Sequence, residues 1–315
     1  MPHADTSPIL TLRELKSELL MHPLMLSVGS LSLSTFMSRV IYGVVDWRPV
    51  LICVSSDILA IGMDHFFDQA PMLSHALKTG NTQMRTVFRK AKVLLLSSAS
   101  LLLFALTLSP PSTWVMVAIF FGPAFVWDFK LFMMGGRQQG SPKTTTQKKA
   151  FRIKRIPGTK AILIGIIRGC GTFYIVRSVL GEVPSSPRHG SDGDVWNPSQ
   201  IVIWSTINRA CHAVMADVRD FHEDWEKQVP TIPVLLKSVF WTKVLLTVMH
   251  VFMMMLYAYN PYIVFSSLYA TVLVWFLDES SPRGWYRLSF HSQTLTALLY
   301  AFVEVAKQYS LYQSI

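Results

Sequence analysis

Ile201-Val-Ile-Trp-Ser-Thr-Ile-Asn-Arg-Ala-Cys-His-Ala-Val-Met-Ala-Asp217-Val-Arg-Asp220-Phe-His-Glu-Asp224 is an apolar run that ends abruptly in acid. At 3.6 residues per turn, Asp217, Asp220 and Asp224 stand at i, i+3 and i+7, one stripe along one face of a helix end. About 150 residues earlier the same thing happens: Asp64-His-Phe-Phe-Asp68 closes another apolar run, with its two carboxylates at i and i+4. Carboxylates held this close repel one another. Divalent cations relieve that repulsion, and Mg²⁺ is favoured where phosphate oxygens complete its octahedron. The two stripes therefore predict facing walls of one Mg²⁺–diphosphate site where membrane helices meet water.

Outward from these stripes the chain is apolar. Of 315 residues, 51% are hydrophobic and 15% charged, a balance that excludes a soluble globular protein and predicts an integral membrane protein. A spanning helix needs roughly 20 mainly apolar residues. Nine runs are candidates: about 24–45, 49–63, 92–109, 112–134, 158–180, 199–216, 238–258, 261–277 and 290–308. Ser109-Pro-Pro-Ser and Tyr259-Asn-Pro-Tyr are tight turns that pair the third run with the fourth and the seventh with the eighth.

The net charge of +10 does not indicate nucleic acid, because the positive residues are sorted by topology. Arg13, Lys16 and the connections after the second, fourth, sixth and eighth runs hold most of the Lys and Arg, whereas the opposite connections hold Arg48 and Arg188, with Arg177 near a helix end. The positive-inside rule then puts the N-terminus and both acidic stripes in the cytosol, with the endoplasmic reticulum as the expected membrane. Residues 1–22 form an N-terminal segment in which Leu10 to Leu20 is amphipathic and predicted to lie on the membrane surface. Residues 23–309 are expected to form one transmembrane domain, and 310–315 a tail. Cys53, Cys170 and Cys211 all fall in spans, which predicts small core residues and no disulfide framework. A polar low-complexity linker runs from Gly135 to Gly158, and Asn81 to Ala91 can be helical.

These residues resemble the UbiA superfamily of intramembrane prenyltransferases. Asp217, Asp220 and Asp224 match the whole of its second signature, Asp-x-x-Asp-x-x-x-Asp. Asp64 and Asp68 match the acidic part of its first, Asn-x-x-x-Asp-x-x-x-Asp, with Ala60 in place of Asn. Thr231-Ile-Pro233-Val resembles the Thr-Leu-Pro that follows the second signature, and Trp127-Asp-Phe-Lys130 an aromatic-x-x-Lys segment. The Arg-Pro usual after the first signature is absent from Gln69 to Lys78. The resemblance implies an all-α, nine-transmembrane-helix bundle with a cytosolic helical cap, a prenyl diphosphate substrate and Mg²⁺ as cofactor.

Asp64, Asp68, Asp217, Asp220 and Asp224 are then the expected Mg²⁺ ligands. Lys78, Lys130, Lys154, Arg155 and Lys227 are candidates for the phosphate oxygens, although basic residues at cytosolic helix ends also satisfy topology alone. Asp57 lies on the Asp64 face about 10 Å deeper at 1.5 Å per residue. A carboxylate at that depth must meet a polar interior, where it could replace the missing Asn or act on substrate. Arg168 and Arg209, also inside spans, are functional candidates for the same reason.

The resemblance leaves two chemistries. A transferase passes the allylic cation to a second substrate, commonly an aromatic ring; a cyclase lets the cation attack its own chain. Asp64-His-Phe-Phe-Asp68 and Lys154-Arg-Ile-Pro-Gly158 resemble the fungal membrane-bound sesquiterpene cyclases of that superfamily. This implies cyclisation of farnesyl diphosphate to a hydrocarbon such as bergamotene, with the aromatic transferase as the alternative. Phe66, Phe67, Trp127, Phe173, Tyr174 and Trp204 are the aromatic residues that could line such a pocket. A transporter or lipid-binding scaffold ranks below both, because the acids gather at one surface rather than at mid-membrane.

Overall fold

The computed structural model describes residues 10–123, 158–182, 195–282 and 284–313, and among these every regular element is helical. The long helices are α1 (Leu12–Tyr42), α2 (Trp47–Asp68), α4 (Thr82–Thr107), α5 (Pro111–Phe120), α6 (Thr159–Leu180), α7 (Pro198–Arg219), α10 (Val239–Leu256), α11 (Pro261–Phe276) and α13 (Ser292–Gln313). Short helices join them: α3 (Ala70–Lys78), α8 (Phe221–Glu226), α9 (Ile232–Leu235) and α12 (Tyr286–Phe290). Five helices, α1, α2, α4, α6 and α10, are long and apolar enough to cross a membrane, and α5 and α11 are shorter apolar helices. α7 carries the buried polar residues Gln200, Asn208, Arg209 and Asp217, which lower its hydropathy while the bundle shields them.

Local chemistry sets where the helices begin. Asp46 accepts the Arg48 amide at 2.8 Å to cap α2, Asn81 caps α4, Ser238 caps α10, and Asn260 accepts from Tyr262 and Ile263 to start α11. Asn197 and Gln200 form a reciprocal capping box at α7. Each such side chain satisfies an amide that the first turn leaves open. Gly43, at φ 71°, ends α1 in the left-handed conformation that glycine adopts without a Cβ penalty.

Packing closes these helices into a ring. α1 lies against α2 and α2 against α4; α5 packs on α6, α6 on α7, α7 on α10, α10 on α11, α11 on α13, and α13 returns to α1. Trp114 Nε1 donates to the Leu106 carbonyl and ties α5 to α4. With lipid outside, close approach rather than hydrophobic expulsion holds such helices together. The buried stripe Ser27, Ser30, Ser34 and Ser38 provides it on α1. Gly165 and Gly169 provide it on α6, where a Cβ on Gly169 would stand 2.5 Å from the Thr206 backbone. One end of the ring is closed by aromatic packing of Phe36 on Trp196 and Tyr300, at 5.2 and 5.5 Å between ring centroids. The other end carries both acidic stripes and the short helices.

Two expectations change at this stage, while α2 runs on past its apolar span through Asp64 and Asp68, as their helical phase requires. The Leu10–Leu20 segment is continuous with the first span and packs on protein: Leu15, Leu19 and Leu20 are buried against Val87, Phe88 and Ala91 of α4. Its apolar stripe meets an equally apolar helix face there. Finally, α4 starts at Thr82, merging the helical stretch foreseen at Asn81–Ala91 with the span that follows.

Candidate active site

The second stripe is built by the end of α7 and the start of α8. Asp217, buried, accepts a 2.8 Å bond from Lys160 Nζ, delivered from the first turn of α6. Asp220 is held by Arg219 through both carboxylate oxygens, at 2.7 and 2.5 Å. Lys160 stands in the fields of Asp217, Asp224 and Asp220 together, and is in contact with the first of them. Asp224 Oδ2 is buried and has no hydrogen-bond partner among the described residues. Burial, and next the charge of Asp217, push the Asp224 carboxyl from its ordinary 3.8 up to about 6. A carboxylate so placed favours an added cation.

The first stripe belongs to the same end of the ring. Asp64 is half-buried and Asp68 exposed at the end of α2. His65, between them, meets Glu18 of α1 at 3.3 Å, and Glu18 also acts on Arg219 beside Asp220. Lys227, just past α8, makes a 2.5 Å ion pair with Glu223. That hydrogen bond, with further contributions from Asp224 and from Asp68, raises the Lys227 ammonium above its ordinary range. One lysine thus lies within electrostatic reach of both stripes. Lys78 is exposed at the end of α3, while Lys130, Lys154, Arg155 and Trp127 lie outside the described residues.

Among the described residues, no three His, Cys, Asp or Glu side chains already form a cage around a metal position. The physical reason is visible in the pairing: Lys160 and Arg219 draw the carboxylates toward cations of the chain itself. The donor set nonetheless suits a hard divalent ion, since it consists of carboxylate oxygens, one of them buried and unsatisfied.

Below the acidic end the ring interior is polar. Asp57 accepts from Arg168 Nη2 at 2.6 Å and Nε at 3.3 Å, and from the Ser30 hydroxyl. Arg168 sits in a π-helical turn, Ile166–Gly171, whose wider winding projects it inward from α6. Its guanidinium lies 5.0 Å from the centre of the Phe290 ring, and that of Arg209 lies 4.5 Å from the same ring. Arg209 Nη1 donates to the Phe290 carbonyl at 3.1 Å. Gly29 makes this possible, because a Cβ there would meet Arg209 Nη2 at 2.6 Å and Phe290 at 2.8 Å. Asp57 is thus a partner of Arg168, two turns below the Asp64 level.

Sequence reasoning passed over Lys160, Glu18 and Phe290. Lys160 opens a span right after Gly158, as an ordinary membrane-boundary lysine would, and its partner is 57 positions away. Of the aromatic candidates, Phe173 and Trp204 are buried in the cluster at the far end, Phe66 packs on Phe88, Tyr174 stacks on Phe120, and Phe67 is exposed. Phe290 is the aromatic side chain that reaches the interior arginines.

A polytopic helical bundle with an acidic mouth and a polar interior is the class these features define. Among solved structures the chain is similar to a UbiA homolog from Archaeoglobus fulgidus. Against that protein bound to GPP and Mg²⁺ the TM-score is 0.55 at 13% identity, covering 93% of this chain and 99% of that one. Against the same protein bound to DMAPP and Mg²⁺ the TM-score is 0.54 at 13% identity, covering 92% and 99%. Against its Cd²⁺-bound form the values are 0.50 and 12%, covering 90% and 99%. At such identities the likeness is one of fold: this chain is built as a UbiA-type membrane bundle. No protein-family model matches the chain, and no curated protein matches it.

Proposed function

We propose that the protein is a membrane-bound, Mg²⁺-dependent terpene cyclase. It would ionise a prenyl diphosphate, farnesyl diphosphate foremost, close the freed chain into a sesquiterpene hydrocarbon such as bergamotene, and release diphosphate. The observation that carries this reading is the Lys160–Asp217 pair in the electrostatic field of Asp220 and Asp224, with a buried Asp224 oxygen unpartnered among the described residues, at the acidic mouth of a UbiA-type ring. The solved relatives of this fold hold GPP or DMAPP with Mg²⁺, which supports the same ligand class here.

Asp64, Asp68, Asp217, Asp220 and Asp224 would hold the metal. Mg²⁺, when bound, neutralises the charge that develops on the leaving diphosphate. Lys160, released from Asp217, and Lys227 would turn to the phosphate oxygens, joined by Lys78 and by the sequence candidates Lys130, Lys154 and Arg155. Glu18 positions His65 and Arg219 and so keeps the two stripes on one rim. Functionally the chain divides into an N-terminal segment to about residue 22, the catalytic bundle and a short tail, with the acidic mouth opening to the cytosol from the endoplasmic reticulum.

The transferase reading has one observation in its favour. Among the described residues the interior holds two buried guanidiniums, Arg168 and Arg209, against the carboxylate of Asp57, and Arg209 Nε is unpartnered. An aromatic acceptor bearing an anionic group would balance that charge. Microsomes given farnesyl diphosphate and Mg²⁺, with products read by gas chromatography, separate the two. A cyclic hydrocarbon without any acceptor supports the cyclase; a prenylated product that requires an aromatic acceptor replaces it with the transferase.

A further inference from the structure

Thr231-Ile-Pro233 follows the last aspartate of the second stripe through one tight turn. Gln228 N–H donates to the Trp225 carbonyl at 3.2 Å and Val229 N–H to the Asp224 carbonyl at 2.9 Å, the paired bonds of a Schellman cap on α8. Gln228, at φ 53°, takes the left-handed position that glycine usually fills. The cap anchors on the main chain of Asp224 and turns the chain back toward it. Thr231 N–H then donates to the Val229 carbonyl at 2.8 Å, and the Gly158 amide donates to the Pro230 carbonyl at 3.2 Å, pinning the turn to the start of α6 just before Lys160.

Thr231 stands at the N-cap of α9. A threonine there ordinarily accepts an amide of the first turn through its hydroxyl. This one makes no cap hydrogen bond, and Pro233, in the first turn, has no N–H to offer. The residue is 4% exposed, and its Oγ1 is buried without a hydrogen-bond partner among the described residues. Asp224 Oδ2 is in the same condition. The two side chains lie within reach of each other: burial and then Asp217 push the Asp224 carboxyl upward, whereas Lys160 and the Thr231 hydroxyl pull it back. A donor and an acceptor, both buried and neither in a hydrogen bond of normal geometry, thus stand together at the acidic mouth. Leaving them so costs free energy, which is relieved in a state that engages both.

We propose that Thr231 is the positioning residue of the second stripe: when Asp224 takes up Mg²⁺, the Thr231 hydroxyl donates to its carboxylate and fixes the orientation in which it holds the ion. This rests on the Mg²⁺ reading of the site given above. A ligating carboxylate is itself hydrogen-bonded by an outer partner, which orients it. Lys160 is bonded to Asp217 and, on that reading, turns to phosphate, so Thr231 is the donor that stays with Asp224. A neutral hydroxyl suits the task. It steadies the carboxylate without cancelling the charge that attracts the metal.

Three variants separate the hydroxyl from the shape of the side chain. Thr231→Val keeps the shape and removes the hydroxyl, Thr231→Ala removes hydroxyl and methyl together, and Thr231→Ser keeps the hydroxyl. Each purified protein in nanodiscs is melted without metal and across a Mg²⁺ titration, and Mn²⁺ binding is followed by electron paramagnetic resonance. Without metal, Thr231→Val melts at or above the parent temperature, because it removes a buried hydroxyl that has no partner there. The Mg²⁺ concentration that gives half of the full melting shift rises about 10–100-fold in Thr231→Val and Thr231→Ala, the usual cost of losing an outer partner, and stays within about threefold of the parent in Thr231→Ser. Mn²⁺ binding weakens in the same order.

A parent-like titration in either hydroxyl-free variant overturns the proposal. So does equal weakening in all three variants, which assigns Thr231 to packing. A metal-free Thr231→Val that melts well below the parent, or does not fold, also overturns it, since the hydroxyl then serves the empty site. Should the parent show no Mg²⁺-dependent shift and bind no Mn²⁺, it is the metal reading of the mouth that fails, a result visible before any variant is made.

Discussion

Asp57→Ala removes the carboxylate that, among the described residues, compensates two guanidiniums in the ring interior. The Asp57 and Arg168 side chains are 4% and 10% exposed, so water cannot replace the lost partner, and Arg209, 2% exposed, adds a second cation nearby. Breaking a buried pair by deleting one partner typically costs about 3–5 kcal/mol, because the remaining charge is left uncompensated. The Ser30 hydroxyl also loses its acceptor, which adds about 1 kcal/mol. Deleting both ends is milder, since an apolar pair of similar volume is often neutral. Asp57→Ala combined with Arg168→Met should therefore recover most of the loss. Thermal unfolding of the purified protein in detergent or nanodiscs, followed by tryptophan fluorescence, gives the ordering: parent first, double variant close behind, single variant well below. A single variant as stable as the parent, or a double variant no better than the single, refutes the claim that this pair is a charge-balancing element of the core.

Other consequences follow from the same interior. Gly169→Ala places a Cβ 2.5 Å from the Thr206 backbone, and overpacking of this kind costs about 1–3 kcal/mol; Gly122→Ala, which meets nothing within 4 Å, is the matched control in the same melt. Lys160→Met leaves the Asp217 carboxylate buried and unpaired, with an expected loss of about 1–3 kcal/mol without metal. Added Mg²⁺ should raise the melting temperature of that variant more than it raises the parent's, and an equal increment would remove Lys160 from the site.

How much of this was legible in the sequence depends on how far apart the interacting residues are. The acidic stripes are local, each confined to two turns, and helical phase alone places their carboxylates on one face. The turns at Ser109-Pro-Pro-Ser and Asn260-Pro were legible for the same reason: a proline at the first turn and an Asx cap are short-range chemistry. The Arg168–Asp57 pair spans 111 positions. Its sequence signal was present nonetheless, since two opposite charges buried in different spans have few partners other than each other. Lys160 gave no such signal, because a lysine at a helix start looks the same whether it faces phosphate headgroups or an aspartate. The π-turn that aims Arg168, and the glycine contact that admits Arg209 and Phe290, are products of packing between helices and have no one-dimensional trace.

The central claim is that carboxylates from α2 and from α7–α8 serve a single Mg²⁺–diphosphate site. Titration calorimetry of the protein in nanodiscs, with a non-hydrolysable farnesyl diphosphate analogue at saturating Mg²⁺, tests it directly through three proteins: the parent, Asp64→Ala and Asp217→Ala. The account predicts one metal-dependent site in the parent and its loss in both variants, each still folded in the membrane. Binding that survives intact in either variant would contradict it.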